Sequence, residues 1–244
     1  MKLYFIRHAD PDYSIDSLTP KGWHEAELLA SRIARLGEIR DIYCSPLGRA
    51  QDTARVCLEP LGRTVITKDW LREFPAVMQM PDGRYRMPWD FVPGWWTKQP
   101  DLYDKDNWFR GPTMSRGGNV EEWYLRVTRG LDEILEGYGY RRDGNFYRTD
   151  AGNGDTIVFF CHLGVMFVML SHLLSIATPV LWQNCFVAPS SVTLVSTEEV
   201  IPGEVAFRMK YFGDISHLYA AGEEPSNSGF FTEFHPRGNN NQTK

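Results

Sequence analysis

The chain has 244 residues, 43% of them hydrophobic, and a formal net charge of −5. That is enough to bury a full core as one large domain or two small ones, and a pI near 5.7 gives no support for binding nucleic acid or an anionic membrane surface. Cys44, Cys57, Cys161 and Cys185 form no CxxC motif and no disulfide scaffold, which points to reduced thiols in a cytoplasmic protein. The amino-terminal apolar stretch is about four residues long, against the seven to fifteen of a secretory signal.

The first element is a strand over Lys2–Ile6, whose run Leu3-Tyr4-Phe5-Ile6 suits burial on both faces of a sheet. Asp10, Pro11 and Asp12 then turn the chain, so Arg7 and His8 stand at the carboxyl end of a core strand, where open α/β sheets place ligands. A helix starts at Thr19-Pro20, an N-cap followed by proline at the first helical position, and runs through Leu28, Leu29, Ile33 and Leu36. A strand at Asp41–Cys44 delivers Ser45-Pro46-Leu47-Gly48-Arg49-Ala50, which opens a helix over about Leu47–Leu58. Arg49 thus sits on a first helical turn, where free N–H groups favour anions. A strand at Thr64–Lys68 precedes Leu71-Arg72-Glu73-Phe74.

Residues 74–118 break this rhythm. They hold six of the fifteen prolines, and six of the eight tryptophans fall between Trp70 and Trp123. Such aromatic content argues against disorder and for an ordered cap over the site, with Trp89, Trp95, Trp96 and Trp108 as wall candidates. Taken one by one, packing of the insertion against the body is the simpler role for each. A helix over Val120–Leu135 follows, then an apolar strand at Thr156–Cys161 that presents His162-Leu163-Gly164 at the start of another helix. Ile157 to Leu174 is nearly continuously apolar, but His162, Gly164, Ser171 and His172 make it a buried strand and helix rather than a membrane span. Strands at Ser191–Ser196 and Val205–Phe212 complete the pattern. Alternating strands and helices predict a three-layer α/β/α sandwich with a mostly parallel central sheet. Residues 1–236 read as one domain with the cap inserted at about 74–118, and 237–244 as a flexible polar tail.

An arginine beside a strand-end histidine suggests an anionic substrate, and the histidine could act as nucleophile, base or metal ligand. No histidine pair has zinc spacing and no acidic cluster resembles a magnesium site, so no metal is expected. His24 reads as solvent-facing, His172 as a hydrogen-bonded histidine of the core or helix end, and His235 as part of the tail region. Arg84, Arg86, Arg110 and Arg116 are nearly balanced by nearby acids and read as a solvated surface.

The motifs Arg7-His8-Ala9-Asp10, Leu18-Thr19-Pro20-Lys21-Gly22, Ser45-Pro46-Leu47-Gly48-Arg49-Ala50 with Thr53-Ala54, Leu71-Arg72-Glu73, Cys161-His162-Leu163-Gly164 and Ser216-His217-Leu218 occur in the order seen in the histidine phosphatase superfamily. The chain resembles that family, which includes the cofactor-dependent phosphoglycerate mutases, over nearly its whole length. The resemblance implies a phosphoglycerate mutase-like fold. It implies His8 as the nucleophile that takes up a phosphoryl group, with Arg7, Arg49 and His162 around the phosphoryl oxygens. It implies Glu73 as the acid for the leaving oxygen, with Asp82 and Asp90 as rivals. His217 sits at a family position and reads as structural support. Many relatives carry Gly-Glu after the histidine, where this chain has Ala9-Asp10. Many also place a phosphate-contacting asparagine six residues after it; that position is Ser14, a serine able to donate one hydrogen bond. The expected activity is metal-independent phosphomonoester hydrolysis of a small phosphorylated metabolite, without a cofactor. The alternatives are a mutase-like phosphotransfer and a non-catalytic module that binds phosphorylated ligands.

Overall fold

The structure, a computed structural model, describes residues 1–230; the tail expected at 237–244 and His235 lie outside the described residues. The first third comprises β1 (Lys2–Arg7), β2 (Pro11–Asp12), β3 (Ser17–Leu18), α1 (Pro20–Ile33), β4 (Asp41–Cys44), α2 (Gly48–Leu58) and β5 (Ile66–Thr67). The insertion holds β6 (Met78–Gln79), β7 (Tyr85–Arg86) and α3 (Pro93–Trp96). Then come α4 (Val120–Gly137), β8 (Arg141–Asp143), β9 (Phe146–Arg148), β10 (Thr156–Cys161), α5 (Leu163–Leu174), α6 (Thr178–Asn184), β11 (Val192–Ile201), β12 (Glu204–Asp214) and α7 (Ser216–Ala221).

Eight strands form one mixed sheet in the order β5-β4-β10-β1-β11-β12-β9-β8. The pairings from β5 to β1 are parallel, and those from β1 outward to β8 are antiparallel. The period of two along β1 sorts its side chains. Tyr4 and Ile6 pack under Leu29 and Ile33 of α1 and Ala54 and Cys57 of α2. Leu3 and Phe5 face the opposite layer, with Val127 and Leu131 of α4 and Val165 and Val168 of α5. The result is the three-layer α/β/α architecture. Among the described residues no helix is long and apolar enough to cross a membrane; α5 instead buries Gly164 through Ser171.

Register explains why the motifs meet. Arg7 pairs with Cys161, and Phe160 pairs with Cys44. The parallel strands β4, β10 and β1 therefore end at nearly the same level, and the next residues, Ser45, His162 and His8, emerge side by side.

The expected strand Thr64–Lys68 shortens to Ile66–Thr67, an edge strand whose residues are exposed. Sequence periodicity also passes over the β8–β9 hairpin. Its strands Arg141–Asp143 and Phe146–Arg148 are short, charged and at the sheet edge, turning at Gly144 with φ 59°. The insertion is ordered around Trp108, which is fully buried and meets Tyr124 of α4 and Trp182 of α6 edge-on.

Glu25 breaks the apolar pattern of the inner face of α1. It is fully buried, accepts the Asp10 N–H at 3.0 Å, and lies 3.9 Å from Lys21 Nζ. Burial pushes its pKa up from 4.5 to about 7, helped by the nearby Asp10 carboxylate and opposed by the Asp10 N–H and Lys21. The folded state therefore binds a proton that the unfolded state has lost, so this group's contribution to stability declines as pH rises from 4.5 to about 7. Glu25→Gln should reduce the loss of stability between pH 5 and pH 8 by about 2 to 3 kcal/mol, measured by urea unfolding at each pH. An unchanged slope would show that Glu25 is ionised in the fold throughout.

Candidate active site

His8 is 2% exposed and fixed through its backbone: its N–H donates to Cys161 O and its carbonyl accepts the Ser190 N–H, both at 3.0 Å. Its Nδ1 lies 2.8 Å from Ala9 O. A carbonyl only accepts, so Nδ1 carries the proton and Nε2 presents a lone pair. Arg49 Nε donates toward that Nε2 across 3.4 Å. Burial holds the imidazolium form well below its ordinary range, and the Arg7 and Arg49 charges add to this, so the ring is neutral at physiological pH.

Arg49 comes from the first turn of α2. Gly48 before it is obligatory, because a Cβ there would stand 2.0 Å from Asp16 O. Asp16 itself, held at φ 49°, accepts the Gly48 N–H at 2.8 Å through Oδ2 and pairs with Arg49 Nη1 through Oδ1. The Tyr13 ring covers the same guanidinium, 5.4 Å from centroid to Cζ. Asp16 and Tyr13 carry no sequence signal beyond their place in the turn after Arg7-His8, and reading the motifs alone misses both.

His162, the N-cap of α5, is fully buried, with its ring centroid 5.0 Å from that of His8. Ser45 Oγ lies 2.7 Å from its Nε2 and already accepts the Leu47 N–H at 3.2 Å. A hydroxyl has one proton and two lone pairs, so it can bond Nε2 in either tautomer; Nδ1 is buried and without a hydrogen-bond partner among the described residues. Burial and the neighbouring His8, Arg49 and Arg7 keep this ring neutral as well. Arg7 donates Nη1 to Val187 O and Nη2 to Ser228 O, each at 2.7 Å, and rests 5.5 Å from the Phe186 centroid. Its Nε is buried and has no hydrogen-bond partner among the described residues. An unsatisfied cationic donor of this kind suits an anion.

Glu73 follows the short turn Asp69–Leu71. Its Oε1 accepts the Phe74 N–H at 2.9 Å and the Val165 N–H, in the first turn of α5, at 3.1 Å. Burial raises its pKa; the two N–H groups and the Arg7 charge pull it down, and the net shift is upward. Gly164 is needed here, since a Cβ would come within 2.7 Å of Glu73 Oε1 and 3.0 Å of the Trp89 ring. Trp89 therefore lies against the same glycine as the Glu73 carboxyl. Trp96 and Trp108 pack in the core, and Trp95 lies against Phe91.

The remaining sequence candidates lie elsewhere or are committed to local partners. Ser14 donates both its N–H and its hydroxyl to Asp12 Oδ1. Asp82 pairs with Arg84, Asp90 with Arg86 and Arg110 with Glu121, while Arg116 donates to Pro112 O. His24 is exposed beside Glu27, and His172 bonds Asp132 at 2.9 Å. His217 reaches Ser190 Oγ at 3.3 Å, and Ser190 N–H bonds the His8 carbonyl, so it braces the nucleophile's backbone at one remove. Among the described residues no three His, Cys, Asp or Glu side chains converge in a metal-binding arrangement.

Residues 3–204 match the histidine phosphatase superfamily (branch 1). Among curated proteins, the probable phosphoglycerate mutase GpmB of Serratia proteamaculans (strain 568) is 33% identical over 82 residues, 30% of this chain and 38% of the relative. Its counterpart in Yersinia pestis (strain Pestoides F) is 29% identical over 147 residues, 56% of this chain and 64% of the relative. The chain thus spans less than two thirds of either. A phosphoserine phosphatase mutant from Entamoeba histolytica, solved in complex with phosphoserine, superposes with a TM-score of 0.57 at 19% identity, covering 89% of this chain and 98% of the other.

Proposed function

Since the chain belongs to the histidine phosphatase superfamily, branch 1, we propose that it hydrolyses a small phosphate monoester through a phosphohistidine on His8. One observation carries this reading: a neutral, buried His8 whose Nε2 lone pair meets Arg49 Nε at 3.4 Å, with the His162 ring 5.0 Å from its own.

His8 Nε2 attacks phosphorus in line; the N–P bond forms as the ester P–O bond breaks. Arg7, Arg49 and, in its Nδ1-protonated tautomer, His162 take up the charge that spreads over the non-bridging oxygens. Glu73, with its raised pKa, gives its proton to the leaving oxygen. The resulting carboxylate then takes a proton from water as that water attacks the phosphohistidine. The N–P bond breaks, the lone pair returns to Nε2, and inorganic phosphate leaves. The three donors supply positive and hydrogen-bonding character from side chains alone, so turnover is expected to persist in EDTA.

The test is a panel of phosphorylated metabolites assayed for phosphate release with EDTA present. Release from at least one small monoester, lost in His8→Ala, is the expected result. Failure to release phosphate from any monoester would overturn the reading. The relatives named as probable mutases favour a second reading, phosphoryl transfer between positions of one substrate. Interconversion of phosphoglycerates without phosphate release would establish that instead.

A further inference from the structure

The segment after α7 does not simply leave the fold. It passes back over α1 and ends on Arg7. Lys21 of α1 pairs with Glu223 and donates to the Glu224 carbonyl. Ser226, 8% exposed, is held by its hydroxyl, which donates to Asp10 Oδ1. Asp10 is itself fixed, with its N–H on Glu25 Oε2 at 3.0 Å and its Oδ2 accepting the Thr19 hydroxyl at 2.6 Å. Ser228 N–H turns back onto Ser226 Oγ at 3.0 Å, which points the Ser228 carbonyl at Arg7 Nη2, 2.7 Å away. Gly229 follows at φ 84°, and a Cβ there would lie 3.0 Å from the same Nη2. Phe230 then meets Phe186 edge-on at 5.0 Å, and Phe186 is the ring beneath the Arg7 guanidinium.

A long arginine side chain loses much rotamer freedom when it is fixed, so a phosphate-binding arginine gains from being held before substrate arrives. Arg7 has five N–H bonds to give. Carbonyls occupy one on Nη1 and one on Nη2, from Val187 and Ser228, and the buried Nε has no partner among the described residues. The Val187 carbonyl belongs to the body of the fold, just before the Ser190–Ser191 turn. The Ser228 carbonyl belongs to a segment whose buried anchor is Ser226. The two carbonyls fix both η nitrogens, and three of the five N–H bonds keep no carbonyl partner among the described residues.

We propose that residues 226–229 form a strap, fastened to Asp10, that sets the orientation of Arg7 for the phosphoryl group. The strap is a positioning element: it touches Arg7 and acts on substrate through it. The proposal rests on the reading of Arg7 as a phosphoryl-binding group.

Two full-length variants test it. Ser226→Ala unfastens the strap, and Gly229→Ala places a methyl against Nη2 without touching the anchors. For each, kcat and KM on an aryl phosphate and the Kd for inorganic phosphate are measured, with Arg7 present and in an Arg7→Ala background. With Arg7 present, each variant is expected to lower kcat/KM and to raise the phosphate Kd, both by about tenfold, the scale of one misplaced charged hydrogen bond. In the Arg7→Ala background the same substitutions should add less than about twofold, since the coupling runs through that side chain. Equal losses in both backgrounds, or no change with Arg7 present, would overturn the strap while leaving the role of Arg7 intact. Unaltered phosphate binding by Arg7→Ala alone would overturn the role of Arg7, and the strap with it.

Discussion

Replacing His8 by alanine is expected to lower turnover of an aryl phosphate by about 10⁴-fold or more, a loss of at least roughly 5 kcal/mol of transition-state stabilisation. The size follows from what is removed. Arg7, Arg49 and His162 would still bind the phosphoryl group in the variant, but the atom that accepts it would be gone. Water would then have to attack without the near-contact geometry that fixes Nε2 through the Nδ1–Ala9 bond. An acid-labile, base-stable phosphoprotein should accumulate when the unaltered chain is quenched during turnover, and be absent in His8→Ala. Turnover by the variant within tenfold of the unaltered chain would place the nucleophile elsewhere. The pH profile offers an independent check. The pKa of His8 lies well below 6.5, so the neutral, competent ring persists as pH falls past 6.5 and is lost only at distinctly lower pH.

Glu73→Gln separates the two chemical steps. Glutamine keeps an oxygen for the Phe74 and Val165 N–H groups, so the local backbone stays bonded while proton transfer is lost. With an alkyl phosphate, whose leaving oxygen needs a proton, the first step should slow by about 10³-fold. With a nitrophenyl phosphate, whose phenolate leaves unaided, the first turnover should slow by less than about tenfold. It should appear as a burst equal to the enzyme concentration, followed by slow turnover, because the water that cleaves the phosphohistidine has lost its base. The acid role requires the protonated carboxyl, so alkyl-phosphate turnover declines as pH rises through the raised pKa of Glu73. Equal slowing of the first step across a leaving-group series would assign the acid to another group.

Much of this arrangement is legible in the sequence, because strand ends are. A short apolar run followed by turn residues announces where β1, β4 and β10 stop, and Arg7, Ser45 and His162 lie at or one residue past those stops. Side chains that act at a distance along the chain leave no such trace. Asp16 pairs with an arginine 33 residues later, and the Ser228 carbonyl meets one 221 residues earlier. The latter contact is made by backbone, which no side-chain pattern records. Tryptophans are ambiguous for a related reason: they suit walls and cores equally, and their neighbours decide. Trp89 lies against Gly164, whereas Trp108 lies among Phe109, Tyr124 and Trp182. The edge hairpin β8–β9 escapes because its strands are three residues each and its first is Arg-Arg-Asp, a composition that marks a strand only once β9 is beside it.

β1 lies inside the eight-stranded sheet, bonded to β10 on one side and β11 on the other. The proposed phosphoryl acceptor therefore projects from backbone whose release requires the sheet itself to open, while Glu73, Trp89 and Ser228 lie on irregular segments outside the sheet. Amide exchange should divide accordingly: the N–H groups of Leu3 to His8 and of Ile157 to Cys161 should exchange only through global unfolding, and those of Ser228 and Trp89 by local opening orders of magnitude faster. The chemistry would then tolerate destabilised surroundings that substrate binding would not, and partial denaturation should raise KM before it lowers kcat.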